Sequence, residues 1–258
     1  MNRGSEWRKW DLHIHTPGTA KNDQYENSDD VWEKYIDALE KSDVTVFGIT
    51  DYFSMDNYYK VLQFQAEGRL EGKTLLPNVE MRITPVTQSG TAINIHAIFD
   101  PTLTKEEIER EFFGFLKMKS GDETYSCTRQ QLLSFGRKLA NDISYPEKAA
   151  IKKAIGEFVV PFDDLHEILS KKFFDNRVIV ALSGKSQDGL SGLLNTDCNT
   201  HTLRKQIGRM ADVILSSNAK DIAYFLGESM DSKETVIATY RSPVSYTHLR
   251  AHETTLHL

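Results

Sequence analysis

His13 and His15 stand one residue apart in the stretch WDLHIHTPG, residues 10–18. Each imidazole can offer a lone pair to a divalent metal. On a strand, side chains at i and i+2 share a face, so the two histidines point the same way. That face is expected to carry Asp11, His13 and His15, opposite Trp10, Leu12 and Ile14. Later stretches sort in the same manner. Asp51 closes VTVFGITD, Asn78, Glu80 and Arg82 alternate with Val79, Met81 and Ile83, and Asn94 and His96 alternate with Ile93, Ile95 and Ala97. Polar groups inside a fold are costly unless paired or ligated. Four such faces converging would make a metal site of imidazole and carboxylate, suited to zinc, manganese or iron. Taken singly, a histidine is more often a hydrogen-bonded structural residue than a ligand, and a carboxylate at a strand end can cap the next helix. It is the recurrence that favours ligation.

The elements that must position these residues alternate along the chain. WDLHIH, VTVFGITD, TLLPNVEMRI, AINIHAIF, RVIVALS and DVILSS read as strands. DDVWEKYIDALEKS has Val31, Tyr35, Ile36 and Leu39 at helical spacing, with Asp29 or Asp30 placed to cap it. SMDNYYKVLQFQAEG, THTLRKQIGRM and AKDIAYFLGES also read as helices, the first closing near Gly68. This order predicts an α/β fold with a parallel sheet and crossover helices, either open or closed into a barrel. The stretch from about 100 to 175 is too long for a simple crossover. It reads as a helical insertion containing TKEEIEREFFGFLKMK, PEKAAIKKAIGEF and PFDDLHEILSKKF. Its lysines, Lys148, Lys152, Lys153, Lys171 and Lys172 among them, read as a solvated helical face ahead of a nucleic-acid patch.

Bulk properties narrow the classes. The chain has 258 residues, 40% hydrophobic and 26% charged, enough for one sizeable core. No apolar run has the length to span a bilayer, and the charged MNRGSEWRKW is not a signal peptide. Cys127 and Cys198 make no disulfide framework. A cytoplasmic protein without a membrane partner is expected. The net charge of −6 argues against a broad basic surface for duplex nucleic acid and suits a cation site.

The motifs resemble those of the PHP (polymerase and histidinol phosphatase) superfamily of metal-dependent phosphoesterases. DLHIHT is similar to its first motif, GITDY stands where that family usually has TDH, LPNVE resembles the third and INIHAIF the fourth. The likeness is nearest to the TrlF family, in which a PHP-type domain precedes a large AAA-like or SMC-like ATPase domain. RGSEWRKWDLHIHTPGTAKND, GKSQDGLSGL and SSNAKDIAYFLGE carry that likeness, which runs from about Asn2 to Pro243. It implies a distorted (β/α)7 barrel with the metals at the C-terminal ends of the strands, where barrel chemistry generally sits. His13, His15, Glu80 and His96 become ligands, with Asp51 a ligand or an orienting neighbour, and one to three divalent metal ions. The implied reaction is phosphate-ester hydrolysis by metal-activated water, with Asp51, Arg82 and Lys185 in support. The departure is Tyr52, where the superfamily usually has a histidine ligand.

Two stretches mislead. SGKS, residues 183–186, resembles the end of a phosphate-binding P-loop, but the glycine required five residues before Gly184 is Ile179, so no nucleotide site is expected. The tail VSYTHLRAHETTLHL holds three of the eight histidines, His248, His252 and His257. It resembles a translated sequencing adapter, and residues 244–258 are read as non-native. Residues 1–243 then form one PHP-type domain. The resemblance calls for a last strand with an Asp-x-His pair, and no strand-like stretch after Asp175 carries one. His166 and His201 lie in helical contexts instead. A barrel lacking that strand is expected to show little activity alone. The function expected for the whole protein is phosphoester hydrolysis on nucleic acid or a nucleotide. The alternatives are a non-catalytic docking or regulatory module, and a small-molecule phosphatase of the histidinol phosphatase type.

Overall fold

The computed structural model describes residues 8–216 apart from 22, 27, 186–187 and 194–197, together with 219 and 222. The helix expected from Ala219 and the tail from Val244 lie outside the described residues, 219 and 222 apart. The described chain is a mixed α/β fold around one sheet. Its strands are β1 (Trp10–His15), β2 (Val46–Tyr52), β3 (Thr74–Val86), β4 (Ala92–Phe99), β7 (Val160–Pro161), β8 (Val178–Ser183) and β9 (Val213–Leu215), in the order β1-β2-β3-β4-β8-β9 with β7 also paired to β3. A separate hairpin joins β5 (Lys117–Ser120) to β6 (Glu123–Ser126). Helices are α1 (Val31–Lys41), α2 (Asp56–Ala66), α3 (Lys105–Ile108), α4 (Arg129–Ala140), α5 (Glu147–Glu157), α6 (Phe162–Leu169) and α7 (Cys198–Met210). No helix among the described residues is long and apolar enough to cross a membrane.

The sheet is mixed, not all parallel as the alternation suggested. β4 runs antiparallel to both β3 and β8, whereas β1–β2, β2–β3, β3–β7 and β8–β9 are parallel. The cause is the short connection between Val86 and Ala92. Parallel neighbours need a crossover of about a dozen residues or more, so a link this short can only return as a hairpin.

The two faces of the sheet have different tasks. One packs against the helices in the main core, which contains Ile14, Phe47, Ile49, Val79, Met81, Ile95 and Ala97. The other carries a small apolar cluster of Leu12, Val46, Ile98, Ala181, Val213 and Leu215. By strand alternation that second face also holds Thr50 and Tyr52 on β2, Asn78 and Glu80 on β3, and His96 on β4. Each strand therefore turns apolar residues to both sides, and the second face becomes polar toward the C-terminal ends of β1 and β2.

α1 buries Tyr35, Ile36 and Leu39, as its spacing requires. Asp30 occupies its N-cap position without capping the backbone, because its carboxylate takes the Ser28 hydroxyl and pairs with Lys34. The stretch from 100 to 175 is only partly helical. The helix expected over 104–119 covers α3 and a π-helical turn, Glu109–Phe113, before the chain enters β5. Gly121, at φ +62, and Asp122 form the two-residue hairpin turn that β5 and β6 require. Phe112, Leu132, Phe158 and Val160 from this stretch are buried in the main core, and β7 joins the sheet beside Ile83 and Thr84.

Candidate metal centre

The centre begins with an irregularity in β1. Asp11 pairs with Phe47 and Ile14 with Ile49, so three steps along β1 match two along β2. The extra residue makes a β-bulge, which breaks alternation and re-aims side chains. The expected face of β1 is corrected accordingly. Leu12 joins the apolar cluster on the site face, while Ile14 packs in the helix-side core. Asp11 is directed toward the helix side, within electrostatic reach of buried Tyr35. His13 and His15 stay together on the site face. Gly48 makes the bulge possible, because a Cβ there would stand 2.1 Å from the Leu12 carbonyl oxygen.

Asn78 then ties the bulge to the next strands. Its Nδ2 donates to the Leu12 carbonyl at 2.6 Å and to the Thr50 hydroxyl oxygen at 2.9 Å. Its Oδ1 lies 3.2 Å from His96 Nδ1. With the amide nitrogen committed to donating, Oδ1 must accept, which places the imidazole proton on Nδ1 and leaves a lone pair on Nε2. His96 Nε2 is buried and has no hydrogen-bond partner.

Glu80 pairs across the ladder with His96 on one side and Tyr52 on the other. Its Oε2 lies 3.3 Å from His13 Nε2 and 3.2 Å from His15 Nε2, and the two nitrogens are 3.1 Å apart. Three donors bound to one zinc at about 2.0–2.1 Å in tetrahedral geometry stand ~3.3 Å from each other. The observed triangle fits that spacing. The ligand atoms of His13, Glu80 and His96 also lie within 4.8 Å of one another, so this group could hold a metal ion. Glu80 and His96 are each 1% exposed, while the His13 and His15 side chains are 15% and 20% exposed. The group is closed at its base and open at its histidine edge. An open side is what distinguishes a site that admits further ligands from a purely structural one.

The electrostatics agree. Burial pushes the His96 imidazole down to about 3, with His13 adding to the effect against Glu80, so the ring is neutral at neutral pH. Burial alone would raise the Glu80 carboxyl, but His96 and His13, with hydrogen bonds from His13 and His15, outweigh it and hold the group well below the usual range. Tyr52 stacks on His15 with ring centroids 5.5 Å apart. Burial first, then the charge of Glu80 and a hydrogen bond to it, push its phenol far above the ordinary value. Tyr52 therefore remains protonated and donates to Glu80.

The other expected residues have different surroundings. Asp51 points away from this group. It accepts from the Thr16 hydroxyl at 2.9 Å, from Asn57 Nδ2 at 3.1 Å and from the Asn57 backbone N–H at 3.3 Å, in the first turn of α2. Burial raises it to about 6 despite those bonds. One terminal nitrogen of Arg82 donates to the carbonyls of Ile155, Gly156 and Phe158, at the end of α5. Lys185 is half-buried on the loop after β8. His166 is exposed on α6, and His201 falls in the first turn of α7. Two charged neighbours escaped the sequence. Lys21 is half-buried within electrostatic reach of Glu80 and Arg82. Asp188 accepts from Asn94 Nδ2 at 3.1 Å and acts on Tyr52. Loop residues of this kind carry no periodic signal, and only tertiary structure brings them in. No family model and no curated protein matches this chain.

Proposed function

We propose that this chain is a metal-dependent phosphoesterase domain of PHP type. In this reading the sheet is part of a distorted (β/α)7 barrel. The supporting observation is the gathering of His13, His15, Glu80 and His96, the motif residues of the PHP resemblance, on one face at the C-terminal ends of β1 and β2, with atoms at ligand spacing. Those four residues would hold zinc, manganese or iron, which when bound supplies Lewis acidity toward a phosphate oxygen. The chain's own residues do the remaining work. Asn78 and Tyr52 fix the orientation of His96 and Glu80. Lys21, a half-buried cation within electrostatic reach of Glu80, favours an anion nearby. The substrate is nucleic acid or a nucleotide, the partner an ATPase domain of TrlF type, and the compartment the cytoplasm, all by family likeness.

The test is ligand binding, which does not depend on turnover. Manganese-loaded protein, titrated calorimetrically with inorganic phosphate and a dinucleotide, is expected to bind both. Metal-free protein and Glu80→Gln are expected to bind neither. Metal-loaded protein that takes up no phosphate overturns the hydrolase reading. That outcome would favour a docking module, for which the protonated Tyr52 in the place of a usual ligand histidine already speaks.

A further inference from the structure

The polar face of the sheet does not end at the metal group. Glu80 and His96 face each other across β3 and β4, and the next pair on that face is Arg82 and Asn94. Ser183 on β8 belongs to the same row, because Ala181 pairs with His96 and alternation returns to that face two residues later. The second row stands ~7 Å from the first, at about 3.4 Å per residue. Arg82 is committed to the carbonyls at the end of α5. Asn94 and Ser183 instead hold a carboxylate from the loop after β8. Asp188 Oδ2 accepts from Asn94 Nδ2 at 3.1 Å, and Oδ1 from the Ser183 hydroxyl at 3.5 Å.

The backbone fixes the same residue. The Asn94 N–H donates to the Asp188 carbonyl at 2.7 Å. Gly189 keeps the loop tight, since a Cβ there would stand 2.3 Å from the Ser183 carbonyl oxygen. Asp188 is half-buried and within electrostatic reach of the Tyr52 phenol, which pairs with Glu80 across β2 and β3. Asn94 and Ser183 supply its side-chain hydrogen bonds among the described residues. A carboxylate has about four acceptor positions, so some remain for a ligand. Such a group repels phosphate oxygens and accepts hydroxyls, as the acidic residue of dinucleotide-binding folds accepts those of a ribose. One row along the strands is the kind of separation that divides a phosphate from the hydroxyls of its own sugar.

We propose that Asp188 is a specificity-determining residue, accepting the ribose hydroxyls of a ribonucleotide whose phosphate lies at the metal group. This rests on the phosphoesterase reading above. The probes are adenosine 5′-monophosphate, its 2′,3′-dideoxy analogue and inorganic phosphate, titrated calorimetrically into manganese-loaded protein. The ribonucleotide is expected to bind about tenfold more tightly than the dideoxy analogue, the scale of a hydrogen bond to a charged group. Asp188→Ala should bring the two nucleotides to equal affinity. Its phosphate affinity should be no lower than the parent's, and its manganese content unchanged. A parent that binds phosphate but takes both nucleotides alike overturns this assignment alone. So does a preference that survives undiminished in Asp188→Ala. Loss of bound manganese in folded Asp188→Ala also overturns it, because the carboxylate would then be a metal ligand. If Asp188→Ala does not fold, Asp188→Asn decides, since it keeps the size and loses the charge. Its preference should shrink, and an undiminished one overturns the assignment. A parent that binds no phosphate overturns the phosphoesterase reading and this assignment with it.

Discussion

Asn78 Oδ1 lies 3.2 Å from His96 Nδ1, on an amide whose other end, Nδ2, is 2.6 Å from the Leu12 carbonyl. One side chain thus fixes both the His96 tautomer and the bulge that aims His13. Removing a partner of this kind usually costs about 10–100-fold in metal affinity. Asn78→Ala is expected to weaken zinc or manganese binding by that order, read by competition with a chromophoric chelator. Unchanged affinity would mean that His96 needs no such support.

Gly48 is the counterpart of Asn78 on the backbone. A Cβ at this position would lie 2.1 Å from the Leu12 oxygen, and the obstacle is main chain, which cannot swing aside. Gly48→Ala is expected to lower stability by roughly 3 kcal/mol, at the upper end of overpacking effects, and to reduce metal binding along with it. Chemical denaturation of the metal-free protein checks the first effect. A variant as stable as the parent would show that the bulge is not constrained here.

Asp51 separates two roles that sequence leaves open. Its carboxylate takes three hydrogen bonds from Thr16 and Asn57 at the start of α2. Asp51→Ala should therefore destabilise the fold by about 2 kcal/mol, as lost caps and buried bonds do, while metal stoichiometry stays as in the parent. Loss of a bound metal equivalent in a folded Asp51→Ala protein would make it a ligand after all.

Acid should act on His96 and Asp51 in opposite senses. The folded value of His96 is lowered to about 3, so below the unfolded value the denatured chain binds a proton that the native one refuses. Stability from this group falls as pH drops below about 6.5, by ~1.4 kcal/mol per pH unit. Asp51, raised to about 6, binds its proton first in the folded state, so its contribution falls as pH rises from about 4 to 6. The two slopes oppose each other in the parent. His96→Gln removes one of them, and its stability should rise relative to the parent by ~1.4 kcal/mol for each pH unit lowered between 6 and 5. Parallel curves for the two proteins would show that His96 is not held neutral.

Much of this site could be read from the chain because period-two alternation puts residue type and face together. His13, His15, Glu80 and His96 each alternate with apolar neighbours, and β4 spans the same AINIHAIF that the pattern marks. Alternation fails where an extra residue enters. The bulge that exchanges the faces of Asp11 and Leu12 depends on Gly48 and Asn78, from other strands. Antiparallel β4 was readable in principle, from the short link after Val86. The β5–β6 hairpin was readable from Gly121-Asp122, but the helical spacing of the preceding residues masked it. Lys21 and Asp188 lie on loops within electrostatic reach of Glu80 and Tyr52, and no local pattern announces a loop residue's tertiary neighbours.

The most direct measurement is metal content. Purified protein dialysed against zinc or manganese and analysed by plasma mass spectrometry should retain at least one equivalent. His13→Ala, Glu80→Gln and His96→Ala, each folded by circular dichroism, should retain less than a tenth of that. A wild-type protein that binds no divalent metal, or variants that keep the full complement, would mean that the triangle of His13, His15 and Glu80 is a hydrogen-bonded cluster and not a metal centre.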